Sequence, residues 1–245
     1  GNIVYYNKKR VEIDIKIDKP LARPLRIVAI SDLHLGYGIK KDELEGWIGL
    51  INAENPDIVL IAGDVVDNFA KPLFEDKVYK TLRRIKARYG VYMALGNHEY
   101  IGGEIDRNLN FLSQANVQVL RDSATLIDNT FYIIGRDDAS RKYRNSLANI
   151  TDRLDHTKPM IVLDHQPSGF EEAQKCGIDL LLSGHTHGGQ VFPISLVVKA
   201  VFKHSYGYHT ANSTHFYITS GLGIWGGKFR IGSRSEYVVI NLQGQ

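Results

Sequence analysis

Five times along this chain a short apolar run ends in carboxylate, amide or imidazole side chains. Leu25-Arg26-Ile27-Val28-Ala29-Ile30 leads into Asp32-Leu33-His34, and Ile58-Val59-Leu60-Ile61-Ala62 leads into Gly63-Asp64-Val65-Val66-Asp67. The run at 91–95 leads into Gly96-Asn97-His98-Glu99, Ile161-Val162-Leu163 into Asp164-His165, and Leu180-Leu181-Leu182 into Ser183-Gly184-His185-Thr186-His187-Gly188-Gly189. Short apolar runs rich in branched side chains read as buried strands. If such strands lie side by side, the polar clusters at their ends converge. Carboxylate, amide and imidazole ligands without thiolate are the set that a two-cation hydrolytic site needs.

The segments between the runs favour that convergence. Residues 40–52 place Leu44, Trp47, Ile48 and Ile51 on one helical face, and Pro56 bars continuation. Further helices are expected over 73–88 and 104–114. Alternating strands and helices predict parallel strands with crossover helices. The second half reads as short strands at 117–120, 125–127 and 131–134, with Asp128-Asn129 a hairpin turn. Strands at 160–163 and 178–182 flank a helix at 170–175, and strands at 190–192, 216–219 and 236–242 finish the chain. Residues 11–17 alternate like a half-exposed strand. The expectation is one domain over 1–245, with two mixed sheets and helices outside.

A net charge of +3 over 245 residues, with no basic–aromatic stripe, gives no clear nucleic-acid partner. The one cysteine, Cys176, reads as a small apolar residue at a helix end. No run approaches the ~20 apolar residues of a membrane span. The first residue is Gly rather than Met, so an anchor upstream is one expectation. Localisation is left between the cytoplasm and a membrane reached through such a segment.

Asp32 and His34 sit two apart, as do His185 and His187, so each pair points to one side of an extended backbone. Gly63 permits a tight turn that brings the Asp64 carboxylate to the strand end, where it can bridge two ions. Five of the nine histidines fall inside the clusters: His34, His98, His165, His185 and His187.

Together, Asp-x-His, Gly-Asp-x-x-Asp, Gly-Asn-His-Glu, His and Gly-His-x-His resemble the calcineurin-like metallophosphoesterase superfamily. Ile30 to Gly36, Asp164-His165-Gln166-Pro167, Ser183 to Gln190, and Ser220 to Gly223 with Arg230 are most similar to its bacterial branch of often membrane-tethered members. The resemblance implies an α/β (α+β) fold, a four-layer αββα sandwich of two mixed sheets with a dinuclear metal site at strand C-terminal ends. It implies that Asp32, His34 and His187 hold one divalent ion, that Asn97, His165 and His185 hold the second, and that Asp64 bridges them. His98 would face the phosphate as general acid, or stabilise the transition state as a cation, and Asp67 would orient it. Asp67 stands where purple acid phosphatases carry a tyrosine. Mn or Zn suits the donors, with Fe or Co as alternatives.

The chemistry expected is phosphodiester hydrolysis, with a lipid or nucleotide-sugar headgroup as one candidate substrate, by direct attack of a metal-bridging hydroxide. The alternatives are a phosphomonoesterase or nuclease on the same site, or a non-enzymatic metal-dependent scaffold. A monomer acting on a small phosphoester is expected, with membrane-surface contact as an open question. Arg141, Lys228 and Arg230 are candidate substrate contacts, and Asp137-Asp138 a candidate ion-pair partner of Arg141. The apolar segment 194–203 reads as a core or capping helix, with a lip toward a membrane or lipid tail as the alternative. An exposed Trp225 would favour the lip. His156, His204, His209 and His215 are expected to be structural.

Overall fold

The computed structural model describes residues 2–39, 41–191, 198, 202 and 204–245. One six-stranded sheet runs β1 (Lys9–Lys16), β12 (Glu236–Gln243), β2 (Leu25–Ile30), β3 (Ile58–Ala62), β4 (Val91–Ala94), β5 (Val117–Leu120). The other runs β10 (Gly207–Ala211), β11 (Thr214–Ile218), β9 (Leu180–Ser183), β8 (Met160–Leu163), β7 (Phe131–Gly135), β6 (Ser123–Ile127). β2 to β5 are mutually parallel, as are β7, β8, β9 and β11. β12 runs antiparallel to β2, and β6 and β10 close the second sheet with antiparallel edges.

Side-chain alternation sets the layers. Ile27 and Ala29 of β2 share an inner core with Leu60 of β3 and with Ile133, Ile161 and Leu182 of the other sheet. Val28 and Ile30 point the other way, into a core with Leu44, Ile48 and Ile51 of α2 (Lys41–Ala53). On the far side, Ile134, Val162 and Leu181 pack with Leu147 of α6 (Leu147–Thr151) and Ala173 of α7 (Phe170–Lys175). The result is helix, sheet, sheet, helix. Strands covered on both faces are apolar along their whole length, which is why their runs were continuous rather than alternating.

Some elements differ from the expectation. The helix expected over 73–88 is two short ones, α3 (Lys71–Glu75) and α4 (Val78–Leu82). Lys77 between them has a left-handed φ of 53°, so the chain turns and both pieces put side chains on the core, Leu73 from one and Val78 and Leu82 from the other. α1 (Asn2–Tyr6) and α6 are five residues each, too short to show a helical period, although Ser146 caps α6 by accepting from the Asn149 N–H at 3.1 Å. β10 was not foreseen. The strand expected at 190–192 reduces, among the described residues, to single bridges from Val191 to Ile231 and Gly232. Most of the apolar segment 194–203 lies outside the described residues. α5 (Ile105–Gln114) agrees with its expected range.

Parallel strands send their C-terminal ends to one edge, so the loops after β2, β3, β4, β8 and β9 meet there. Phe131 is fully buried in the core between the sheets. Phe131→Ala should cost about 3–5 kcal/mol in urea unfolding, as cavity creation at a site held by two sheets does. A loss under about 1 kcal/mol would show that the sheets can close over the gap.

Candidate metal centre

The loops after β2 and β3 travel together beyond the sheet. Asp32 N–H donates to Gly63 O at 3.0 Å, His34 N–H to Asp64 O at 3.0 Å, and Leu35 N–H to Val65 O at 2.8 Å. Asp32, His34, Asp64, His185 and His187 all take left-handed backbone, with φ of 53°, 46°, 55°, 68° and 51°. Such conformations are uncommon for residues with a Cβ and cluster where function over-determines the backbone. Two glycines let the carboxylates in. A Cβ at Gly96 would collide with Asp64 Oδ1, and one at Gly184 with Asp32 Oδ2.

The side chains form two groups on either side of Asp64. In the first, His34 Nε2 lies 3.2 Å from His187 Nε2 and 3.8 Å from Asp32 Oδ1, and His187 Nε2 lies 3.4 Å from Asp32 Oδ1. In the second, His165 Nε2 lies 3.2 Å from Asn97 Oδ1 and 3.3 Å from His185 Nδ1. Asp64 Oδ2 faces both, 3.8 Å from His34 Nε2 and 3.1 Å from His165 Nε2. Bonds of ~2.0–2.2 Å to a tetrahedral ion put ligand atoms about 3.3–3.6 Å apart, close to these separations.

The tautomers fit the same purpose. His165 Nδ1–H donates to Ala62 O at 2.7 Å, which leaves Nε2 as the inward lone pair. His34 Nδ1 lies 3.3 Å from Asp67 Oδ1, so its Nε2 also faces the site. Orienting partners of this kind are the usual outer support of metal-ligating histidines. Nitrogen and oxygen donors, buried and converging in two sets, fit two divalent cations.

Charge in the metal-free protein follows from burial and neighbours. Burial opposes a charge on His34, but hydrogen bonds to Asp32 and Asp67 and the Asp64 charge raise it to about 9. His165 is opposed by burial in the same way and lifted well above its usual value by Asp64. Burial pushes His187 down to about 3, with the nearby cations of His34 and Arg230 adding to that effect. Burial and the charge of His165 also lower His185. Burial opposes the negative charge of Asp32 and Asp64, yet the surrounding histidines hold both low.

His98 stands beside this set, its ring edge-on to His34 with centroids 4.6 Å apart. Its Nδ1–H donates to Asp67 O at 2.6 Å and lies 3.1 Å from Asp67 Oδ1, and its backbone N–H donates to Asp64 Oδ1 at 2.9 Å. The half-buried ring therefore keeps Nε2 for another task. Burial opposes its protonation, but Asp67 and Asp64 raise its pKa above the ordinary value.

Other candidates fall elsewhere. Arg230 is 1% exposed, and its guanidinium donates to the carbonyls of His187 at 2.9 Å, Ser220 at 2.7 Å and Gly223 at 2.9 Å. With Gly221 O at 3.4 Å as a fourth acceptor, it braces the loop that carries His187, instead of meeting a substrate as expected; the sequence showed an arginine but not that backbone carbonyls would enclose it. Lys228 is paired with Glu43. Arg141 is exposed and lies 4.8 Å over the Tyr100 ring. Asp137 pairs with Arg121 at 3.2 Å rather than with Arg141. Arg136 and Arg144 grip the buried Asp164 at 3.1 and 3.0 Å. His156, His209 and His215 each contact a backbone carbonyl, while His204 stacks edge-on against Phe170.

One functional residue was seen only as part of a cluster. Glu99 is fully buried and accepts from the N–H groups of Asp64, Val65, Val66 and Gly96 at 3.0, 2.7, 2.9 and 2.8 Å. Burial and the charge of Asp64 raise it to about 7 against those hydrogen bonds. A glutamate directly after two candidate ligands was the available signal.

Residues 25–189 match the family described as calcineurin-like phosphoesterase. The chain belongs to that family. It is 35% identical over 240 residues to an uncharacterized metallophosphoesterase of Campylobacter jejuni, covering 95% of this chain and 63% of that protein. It is 31% identical to a Danio rerio protein named as a transmembrane protein with metallophosphoesterase domain, covering 96% of this chain and 57% of that one. The chain thus spans less than two thirds of these relatives. In structure it resembles the NAD nucleotidase of Haemophilus influenzae, with a TM-score of 0.54 at 16% identity, covering 80% of this chain and 45% of that one. This likeness speaks to the fold. The family is one of metallophosphoesterases that use divalent metals, and this chain carries the candidate ligand groups for them.

Metal loading should release protons, because His34 and His165 hold protons near neutral pH when metal-free and must lose them to bind. Titration calorimetry in buffers of different ionisation enthalpy checks this; an identical heat in every buffer would contradict it. Glu99→Gln should turn its NH₂ toward backbone donors, cost about 1–3 kcal/mol per orphaned N–H, and lower metal content. Melting curves and elemental analysis read both, and full metal occupancy with unchanged melting would sink the role assigned to Glu99.

Proposed function

We propose that the chain hydrolyses phosphodiesters by in-line attack of water, with His98 giving the leaving oxygen its proton. What carries this reading is the arrangement of two ligand trios flanking Asp64 with the His98 imidazole beside them. Asp32, His34 and His187 would hold one cation, Asn97, His165 and His185 the other, with Asp64 shared. Divalent cations held there supply Lewis-acid neutralisation of phosphate oxygens and acidify water. Mn or Zn is the pair we favour.

The chain's own groups supply the rest. Nδ1–H of His98 is committed to Asp67 O, so in the imidazolium form the second proton would sit on Nε2, away from that contact. Against burial, Asp67 and Asp64 raise the His98 pKa and so favour that form. It is placed to donate to an alkoxide as the ester bond breaks. Asp67 fixes its ring from outside and touches His34 as well, so one carboxylate aligns the acid with a ligand. Nothing in this scheme requires a covalent intermediate on the chain.

A diester carries one charge, and this site suits it. The arginines and lysine nearest in sequence are already engaged, Arg230 by carbonyls, Arg136 and Arg144 by Asp164, and Lys228 by Glu43. A monoester dianion would gain from a guanidinium at the metal centre, which Arg136, Arg144 and Arg230 do not offer because they are held elsewhere; Arg141 and Arg234 stay exposed at the rim. A lipid or nucleotide-sugar headgroup is compatible with the same chemistry.

The test is hydrolysis of bis-p-nitrophenyl phosphate and p-nitrophenyl phosphate by the Mn- or Zn-loaded chain, beside Asp64→Asn and His98→Ala. The diester should turn over faster, and Asp64→Asn should abolish activity. His98→Ala should lose about 10²–10⁴-fold on an ester with an alkyl leaving group and far less on p-nitrophenyl esters, whose leaving group needs no proton. His98 acts protonated and its pKa is raised, so activity on the alkyl ester is full at lower pH and falls as pH rises through that value. The His98→Ala profile should lack this alkaline limb. Equal turnover by wild type and Asp64→Asn would end the enzymatic reading.

A further inference from the structure

Exposed apolar side chains gather around the metal centre. Tyr37 follows β2 and is 83% exposed; Phe69 follows β3, Ile101 follows β4, and Tyr143, 86% exposed, follows β7. Trp225 and Phe229 lie in the loop before β12, whose first residues sit at the C-terminal end of antiparallel β2. All of these loops therefore open on the edge where the ligands converge. The remaining exposed large apolar residues include Ile3 and Tyr6, which precede β1 at this edge because Lys9 pairs with Glu236. Among the described residues, Leu50, Leu126 and Tyr208 lie out on the bodies of α2, β6 and β10, and Ile3 and Tyr6 belong to the short α1.

Nothing in packing explains this distribution, because scattered single exposures would fall anywhere. The charges beside it have one sign on one half of the rim. In the loops 136–146 and 219–235 the exposed charged residues are Arg141, Lys142 and Arg234, while Asp137 and Asp138 of the same loops are buried. Lys142 lies 5.4 Å over the Tyr143 ring, so cation and aromatic ring sit together. The exposed acids Asp42, Glu75, Asp76, Asp106 and Glu171 lie on α2, the α3 end, α5 and α7 rather than in these two loops. Aromatic and aliphatic tips flanked by Lys and Arg match the boundary layer of an anionic bilayer.

We propose that this rim docks on an anionic lipid bilayer, with the metal centre facing the headgroup layer. No helix of the described residues is long and apolar enough to cross a membrane, so the contact is one of lying against the surface. The inference stands on exposure and charge, and it holds or fails separately from the hydrolytic reading.

The two tryptophans provide a built-in readout, since Trp225 is 56% exposed and Trp47 is 5% exposed. The chain is mixed with vesicles of phosphatidylcholine, with or without phosphatidylglycerol, and with brominated lipids. Sedimentation with the anionic vesicles, a blue shift of emission, and bromine quenching that is lost in Trp225→Phe are the expected results. Tyr37→Ser with Ile101→Ser should weaken vesicle binding by at least about tenfold, as removing inserted apolar surface does. Lys142→Glu with Arg234→Glu should weaken it by more than about tenfold at low salt, with a smaller loss at high salt. All three variants should keep the parent's circular dichroism spectrum and melting temperature, which shows that they fold. Failure to sediment with either vesicle overturns the proposal. So does a concentration-dependent dimer that already buries Trp225, which would give the face to a second copy. Binding that ignores both pairs of substitutions overturns it too.

Discussion

The carboxylate of Glu99 is the contact on which the rest of the centre depends. Its two oxygens accept four backbone N–H groups, three from the loop after β3 and one from the loop after β4. Those N–H groups lie past the strand ends, where no sheet ladder can satisfy them, and leaving them buried and unpaired would be costly. One side chain therefore ties the residue that faces both ligand groups to the loop that supplies Asn97 and His98. Asn108 of α5 donates to Glu99 O at 2.8 Å, so the helix behind the sheet holds the same point. Burial and the charge of Asp64 raise the Glu99 pKa, against the backbone N–H groups and the His165 charge.

Around that tie the backbone is drawn into conformations that only a preformed site justifies. Five of the seven proposed ligands have left-handed φ, and the carboxylates of Asp32 and Asp64 press against glycines where any Cβ would collide. Arg230 completes the arrangement from below. Among the described residues this buried cation has no carboxylate hydrogen-bond partner, and it is held by four carbonyls, those of His187, Ser220, Gly221 and Gly223. Its charge also helps keep His187 neutral, the form in which an imidazole binds a metal.

The sequence carried much of this and missed parts for identifiable reasons. Strand cores buried on both faces leave continuous apolar runs, so β2, β3, β4, β8 and β9 were legible and with them the convergence of Asp32, Asp64, Asn97, His165 and His187. α3 and α4 were merged because a left-handed Lys77 leaves no trace in an apolar period. β10 was missed because its residues alternate between half-buried and exposed and its pairing is with β11 alone. Arg230 and Glu99 were both visible as residue types. Whether a charge faces solvent, a ligand or backbone depends on loops that meet only after both sheets assemble, and that information is absent from local spacing.

The same topology links chemistry to surface. Parallel strands must deliver their loops to one edge, so whatever surrounds the ligands in sequence also surrounds them in space. Phe69 follows Asp67 by two residues, and Ile101 follows His98 by three. The short spacing leaves these side chains no core to enter, because the interior at that edge is filled by carboxylates, imidazoles and Glu99. The loops therefore carry an apolar rim at Tyr37, Phe69, Ile101 and Tyr143, with the charged Arg141, Lys142 and Arg234 among them. Docked as proposed, such a rim would set the ligand edge against the bilayer, and substrate supply and docking would then be two effects of one set of loops.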